Sequence, residues 1–143
     1  MKIGIVGFSN QGFDQKAARK RLEQALGKWV NGEKISEYEI VSGLTNVGVP
    51  KIAYEIAVEQ GIKTVGISAQ KALEVKCGVF PCDKQIIIGK EFGDESDVFI
   101  DYIDVLVRVG GGPQSRKEVQ MFKDKVALEK GDVSKRLIEH EVE

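Results

Sequence analysis

Three consecutive glycines, Gly110, Gly111 and Gly112, interrupt the segment VRVGGGPQSRKEV (residues 107–119) between an apolar strand and the start of a helical pattern. A turn that runs straight into a helix leaves the first amide donors unpaired, and with the helix dipole they attract an anion such as phosphate. Glycine lets the main chain come close to that anion. Two other strand-to-helix turns are rich in small and polar residues, GFSNQG (7–12) and SGLTNVGVP (42–50). The candidate nucleotide-binding residues follow from these turns: Ser9 and Asn10 at the border of a ligand, Gly43, Thr45, Asn46 and Gly48 beside it, and Gly110–Gly112 with Ser115 around a phosphate. Arg108, on the strand leading into the glycines, either supplies charge to that phosphate or covers apolar neighbours with its stem at an edge. Ser115-x-x-Glu118 has the spacing of a capping box, in which hydroxyl and carboxylate satisfy backbone donors at a helix start.

Other chemistry-bearing residues are sparse. Asp94, Glu95 and Asp97 form an acidic group that can hold Mg2+ beside a phosphate, but acids around Ser96, a natural N-cap, are also what a helix start prefers. Cys77 and Cys82 are the two cysteines and His140 the single histidine. A zinc site wants about four ligands, so free thiols are expected and no metal or cofactor is called for. There is no Walker motif, no nucleophile elbow and no strict Gly-x-Gly-x-x-Gly fingerprint in the first turn.

The segments that must carry these residues alternate. Short runs rich in Val and Ile at 2–8, 38–43, 63–68, 85–89, 104–109 and 125–129 are mostly apolar on both faces, as strands of a covered parallel sheet are. Helical spacing appears between them. Ala18, Leu22, Ala25 and Trp29 share one face. Ile52, Ala53, Ile56 and Ala57 make a second stripe, with Pro50 in a first turn and Gly61 as a stop. Two more helices are expected around SDVFIDYI and SRKEVQMFKDK. The architecture expected is a three-layer, doubly wound α/β domain over residues 1–130, with a mostly parallel sheet of about six strands. Such a fold places its crevice at the carboxyl ends of the strands, where strand order reverses. Residues 69–84 read as a partial helix and an irregular loop. The charged tail, 131–143, reads as a frayed helix, an added edge strand or a subunit contact.

The bulk numbers narrow the function. A chain of 143 residues suits one core, and 42% apolar with 30% charged residues is an ordinary globular profile. With 21 Lys plus Arg against 22 Asp plus Glu, no basic field exists to hold nucleic acid. No apolar run reaches the length of a membrane span and no signal peptide is evident, so a cytoplasmic location without membrane partners is expected.

The pattern VSGLTNVGVPKIAYEIAVEQGIKTVGI, followed by IDVLVRVGGGPQSRKEV, resembles the SLOG superfamily, the Rossmann-like nucleotide-binding domains of the Lonely Guy phosphoribohydrolases and DNA-processing protein A. The likeness runs over roughly residues 1–129. Against the Lonely Guy pattern Pro-Gly-Gly-x-Gly-Thr-x-x-Glu, Gly110 stands at the proline, Gly111 and Gly112 at the glycine pair, Gln114 at the next glycine, Ser115 at the threonine and Glu118 at the glutamate. The resemblance implies a crevice for a phosphorylated nucleoside, Ser115 on the phosphate, and Glu118 as the catalytic group of N-glycosidic cleavage, stabilising charge on the ribose or activating water. It also implies self-association. The family's arginine upstream of the glycines is missing, since the corresponding stretch GKEFGDESDVF is acidic. A binder or carrier that leaves its nucleotide intact, or an interaction module, is the alternative.

Overall fold

In a computed structural model, residues 1–10 and 12–143 are described; Gln11, in the first glycine-rich turn, lies outside the described residues. The Val/Ile runs form strands where β-branched side chains stack on both sheet faces. They are β1 (Lys2–Gly7), β2 (Glu39–Ser42), β3 (Lys63–Ser68), β4 (Lys84–Ile87), β5 (Val105–Val109) and β6 (Leu137–His140). These make one sheet in the order β4-β3-β2-β1-β5-β6, parallel at every pairing, with Ile5 opposite Val107 in the central pair. Among the described residues four α-helices cover it: α1 (Gln15–Leu26), α2 (Gly48–Gln60), α3 (Ser96–Tyr102) and α4 (Pro113–Leu128). Three-layer Rossmann-like α/β architecture is therefore what the chain adopts.

Period-two alternation sorts the strand side chains between two cores. Ile3, Ile5, Val105, Val107 and Val109 pack with Ala18 and Leu22 of α1 and with Ile52, Ala53 and Ile56 of α2. Val6, Val41, Val65, Ile67 and Leu106 pack on the other side with Phe99 and Ile100 of α3 and Val119, Phe122 and Val126 of α4. Gly61 ends α2 in the left-handed conformation, as its position after the apolar stripe suggested.

Two readings need correction. Residues 125–129 are not a strand: Val119, Phe122 and Val126 fall at helical spacing and are buried, so α4 continues through Leu128. The sixth strand comes instead from the charged tail, where Leu137–His140 pairs with β5 as an added edge strand, one of the three readings open for that segment. Trp29 also lies beyond the end of α1, half-buried, with its indole N–H donating to the Lys135 carbonyl at 3.3 Å. No helix among the described residues is long and apolar enough to cross a membrane.

Candidate functional site

Strand order reverses between β1 and β5: the chain winds outward through β2, β3 and β4, then returns by α3 to the far side of β1. The turns after β1 and β5 diverge there to opposite faces of the sheet, opening a crevice at the carboxyl edge. A cavity of about 410 Å³ occupies that edge. Gly7 and Ser9 of the first turn, Ser42–Gly43, Thr45 and Val47 of the second, and Gly112–Ser115 of the third all line it. The three glycine-rich turns thus meet around one hollow.

The three glycines of the last turn have different neighbours. Gly110 has φ +59°, and a Cβ on it would lie 2.2 Å from the Phe8 ring. Gly111 has φ +101°, and its Cβ would strike Ser115 at 2.7 Å. Gly112 has an extended backbone and nothing within 4 Å of its Cβ position. Only Gly112 therefore faces open space, on the cavity. It stands as N-cap of α4 without a side-chain hydrogen bond, and Pro113 at the first helical position has no N–H to leave unpaired. The Gln114 and Ser115 amides complete an open helix start.

The second helix start is less open. Val47 caps α2 without a side-chain bond, but the Val49 amide donates to the Phe8 carbonyl at 2.7 Å. Gly48 is buried beneath that same carbonyl, 2.2 Å from where its Cβ would be, and does not line the cavity. The turn after β2 is held from below. Tyr54 Oη donates toward the carbonyls of Gly43 at 2.9 Å and Val65 at 3.0 Å, and Ser68 Oγ accepts from the Leu44 amide at 2.8 Å. Asn46 also lies off the cavity; its Oδ1 is buried with no hydrogen-bond partner among the described residues. Asn10 is exposed, and its Oδ1 accepts from the Gly12 amide at 3.0 Å.

Arg108 does not reach the crevice. Its guanidinium donates to the Gly110 carbonyl at 2.8 Å and pairs with Glu139 at 2.9 Å and Glu141 at 2.6 Å, both from the C-terminal segment. Its neighbour across the sheet is Glu139 of β6, so the side chain lies toward the tail and braces the glycine turn.

Ser115 and Glu118 do not form a capping box. Ser115 Oγ donates to the Gly7 carbonyl at 3.2 Å, tying α4 to the end of β1. Glu118 is 6% exposed and points to the cavity wall, where its Oε2 accepts from Ser96 Oγ at 3.1 Å. Ser96 is not the N-cap expected of it but the first residue of α3, with Glu95 at the cap position and no side-chain capping bond. Glu95 is itself 6% exposed, and its two oxygens accept from the Gly93 amide at 3.0 Å and Gln114 Nε2 at 3.2 Å. Burial, reinforced by the charge of Glu95, pushes the Glu118 carboxyl up to about 7 against the opposing effect of Ser96. Asp94 is engaged elsewhere, accepting from the Lys90 and Glu91 amides at 3.0 Å, and no cluster of metal-ligating side chains occurs among the described residues.

Sequence reasoning missed one wall of the cavity. Val75 and Cys77 come from the irregular loop after β3, and Phe92 and Glu95 from the loop before α3. From sequence, Glu95 is visible as helix-start charge or as part of an acidic group able to hold Mg2+; its bond to Gln114 joins elements 19 residues apart, which no local spacing announces. Among the described lining residues no Lys, Arg or His occurs, and Glu95 and Glu118 are the charged groups.

No family model matches the chain, and no curated protein matches it. Among solved structures it is similar to TM1055, an X-ray structure from a structural genomics consortium, with a TM-score of 0.66 and 18% identity over 98% of this chain and 91% of that one. It is also similar to the molybdenum cofactor carrier protein of Chlamydomonas reinhardtii, with a TM-score of 0.66 and 19% identity over 96% of this chain and 88% of that one. At such identities the likeness is one of fold.

Proposed function

We propose that the crevice binds a phosphorylated nucleoside or a related nucleotide-like ligand, as a divergent member of the SLOG superfamily. The observation that carries this reading is the open start of α4, where Gly112 is unobstructed and Gln114 and Ser115, whose amides begin the helix, line a 410 Å³ cavity at the strand switch point. Phosphate would rest on these amides. Gly43, Thr45 and Ser9 would border the sugar or base, and the apolar wall of Ile67, Val75 and Phe92 suits a ring. The roles first suggested for Arg108, Asn10, Asn46 and Gly48 become indirect ones, holding the turns rather than the ligand.

Binding without conversion is the version the site favours. The described lining residues include no cation to help a leaving group, and the Ser115 hydroxyl is already engaged by Gly7. The likeness in fold to a molybdenum cofactor carrier protein is consistent with it. N-glycosidic cleavage is the second reading, favoured by the placement of Glu118 on the cavity wall one turn from the proposed phosphate seat. A thermal-shift panel of nucleoside monophosphates, ADP-ribose and pterin cofactors tests the binding. A ligand at about a hundred times its dissociation constant adds about 2.7 kcal/mol of stability, and no shift with any of them would overturn the reading. Release of free base by wild type, abolished in Glu118→Ala, would establish cleavage; equal, negligible release from both would end it. Self-association and a cytoplasmic location belong to the same proposal, and light scattering at several concentrations checks the former.

A further inference from the structure

The wall beside the phosphate seat carries two carboxylates, and the structure treats them unequally. Glu95 has a donor on each oxygen, the Gly93 amide and Gln114 Nε2. Glu118 has a donor on one oxygen only, Ser96 Oγ, and lies more than nine-tenths buried with its other oxygen left to the cavity. Two anions so placed repel each other, and an anion seated on the start of α4 would add a third charge with no cation among the described lining residues to offset it. The lowest-cost arrangement is a proton on the carboxyl with fewer donors.

We propose that Glu118 serves the crevice as a neutral carboxylic acid, donating a hydrogen bond to the ligand from the oxygen that Ser96 leaves free, its proton favoured by burial in the wall and by the neighbouring Glu95. The loading part of this rests on the binding reading above; the protonation part does not. It assigns Glu95 a positioning role that acts through Glu118. A protonated Glu118 cannot be the base that activates water, so any cleavage would use it as a proton donor to the leaving group. It also sets a ligand requirement, since the atom that meets Glu118 must be an acceptor, such as a phosphoryl, carbonyl or ring oxygen.

The groups that bear on this proton are few. Glu95, from the start of α3, raises the carboxyl's hold on it, whereas the Ser96 hydroxyl and Lys117, on the exposed side of α4, oppose. Burial is the largest influence, and above about pH 7 it no longer prevails. Loading therefore requires a proton from solvent whenever the free protein is ionised.

Carboxyl carbon NMR titration of the ligand-free protein tests the protonation directly. A Glu118 midpoint near 7, moving down in Glu95→Gln, supports it; a midpoint in the ordinary carboxylate range overturns it, whatever binds. Calorimetry with inorganic phosphate and with a nucleoside monophosphate then tests the loading. The affinity ratio of wild type to Glu118→Gln, which keeps a donor but has no titrating proton, should fall about tenfold per pH unit above the midpoint. Taking the ratio cancels the ionisation of the phosphate itself. A ratio constant across pH 6–9 would overturn the coupling. If neither probe binds, the loading falls together with the nucleotide reading, while the NMR midpoint still decides the protonation.

Discussion

Gly110 and Gly112 are two residues apart and bare for different reasons, the first because the Phe8 ring fills its side-chain space and the second because nothing does. Gly110→Ala would force a side chain into the ring at positive φ and should cost about 2–3 kcal/mol in urea denaturation. Gly112→Ala should stay within about 1 kcal/mol of wild type while weakening ligand binding. Equal destabilisation by both would contradict the distinction. Glu118 gives a second contrast. Its carboxyl titrates near 7 folded against 4.5 in its ordinary state, so the native protein binds the extra proton between those values and wild-type stability falls as pH rises through them. The penalty is absent below about pH 4 and complete above about pH 8. Glu118→Gln should therefore gain on wild type by up to about 3 kcal/mol across that window, read from unfolding at each pH. From sequence, the glycines, Ser115 and Glu118 were recognisable as a group, but a capping box and a cavity wall share one spacing. Only the partners Gly7 and Ser96, on other elements, separate them.

Among the elements, the strands that carry the site were legible because a buried parallel strand needs an uninterrupted apolar run. The error at 125–129 arose because Val126 and its neighbours form such a run inside a helix, where a short segment cannot reveal its period. β6 was hard to read for the opposite reason. An edge strand is covered on one side only, and its pattern LIEH is half-buried and partly charged. That strand matters to the site because Glu139 and Glu141 hold Arg108, which in turn holds the Gly110 carbonyl, and the Gly110 amide donates to the His140 carbonyl at 2.8 Å. The Arg116 and Arg108 guanidinium groups beside Glu141 hold its carboxyl down at about 2, so this clasp persists through the acid range until that carboxyl protonates. Arg108→Ala should destabilise the fold by about 2 kcal/mol, the partly exposed glutamates rehydrating. It should also speed amide exchange at Gly110 and along β6 more than at β3. Uniform acceleration everywhere would mean the clasp has no local role.

At the level of the whole molecule, the doubly wound order makes the crevice unavoidable. With β1 and β5 adjacent and their following helices on opposite faces, the turns after them must part, and the turn after β2 closes the third side. Alternation of strands and helices carried that much from sequence. It did not carry the fourth side, because the loops 69–83 and 88–95 have no periodicity and meet the cavity through Val75, Cys77, Phe92 and Glu95. The most direct test of the central claim is a two-dimensional amide NMR titration with a nucleoside monophosphate. Saturable shifts largest at Gly111, Gly112, Gln114 and Ser115, with smaller ones at Gly43 and Thr45, are the result expected. Shifts concentrated away from the start of α4, or none at millimolar ligand, would contradict it.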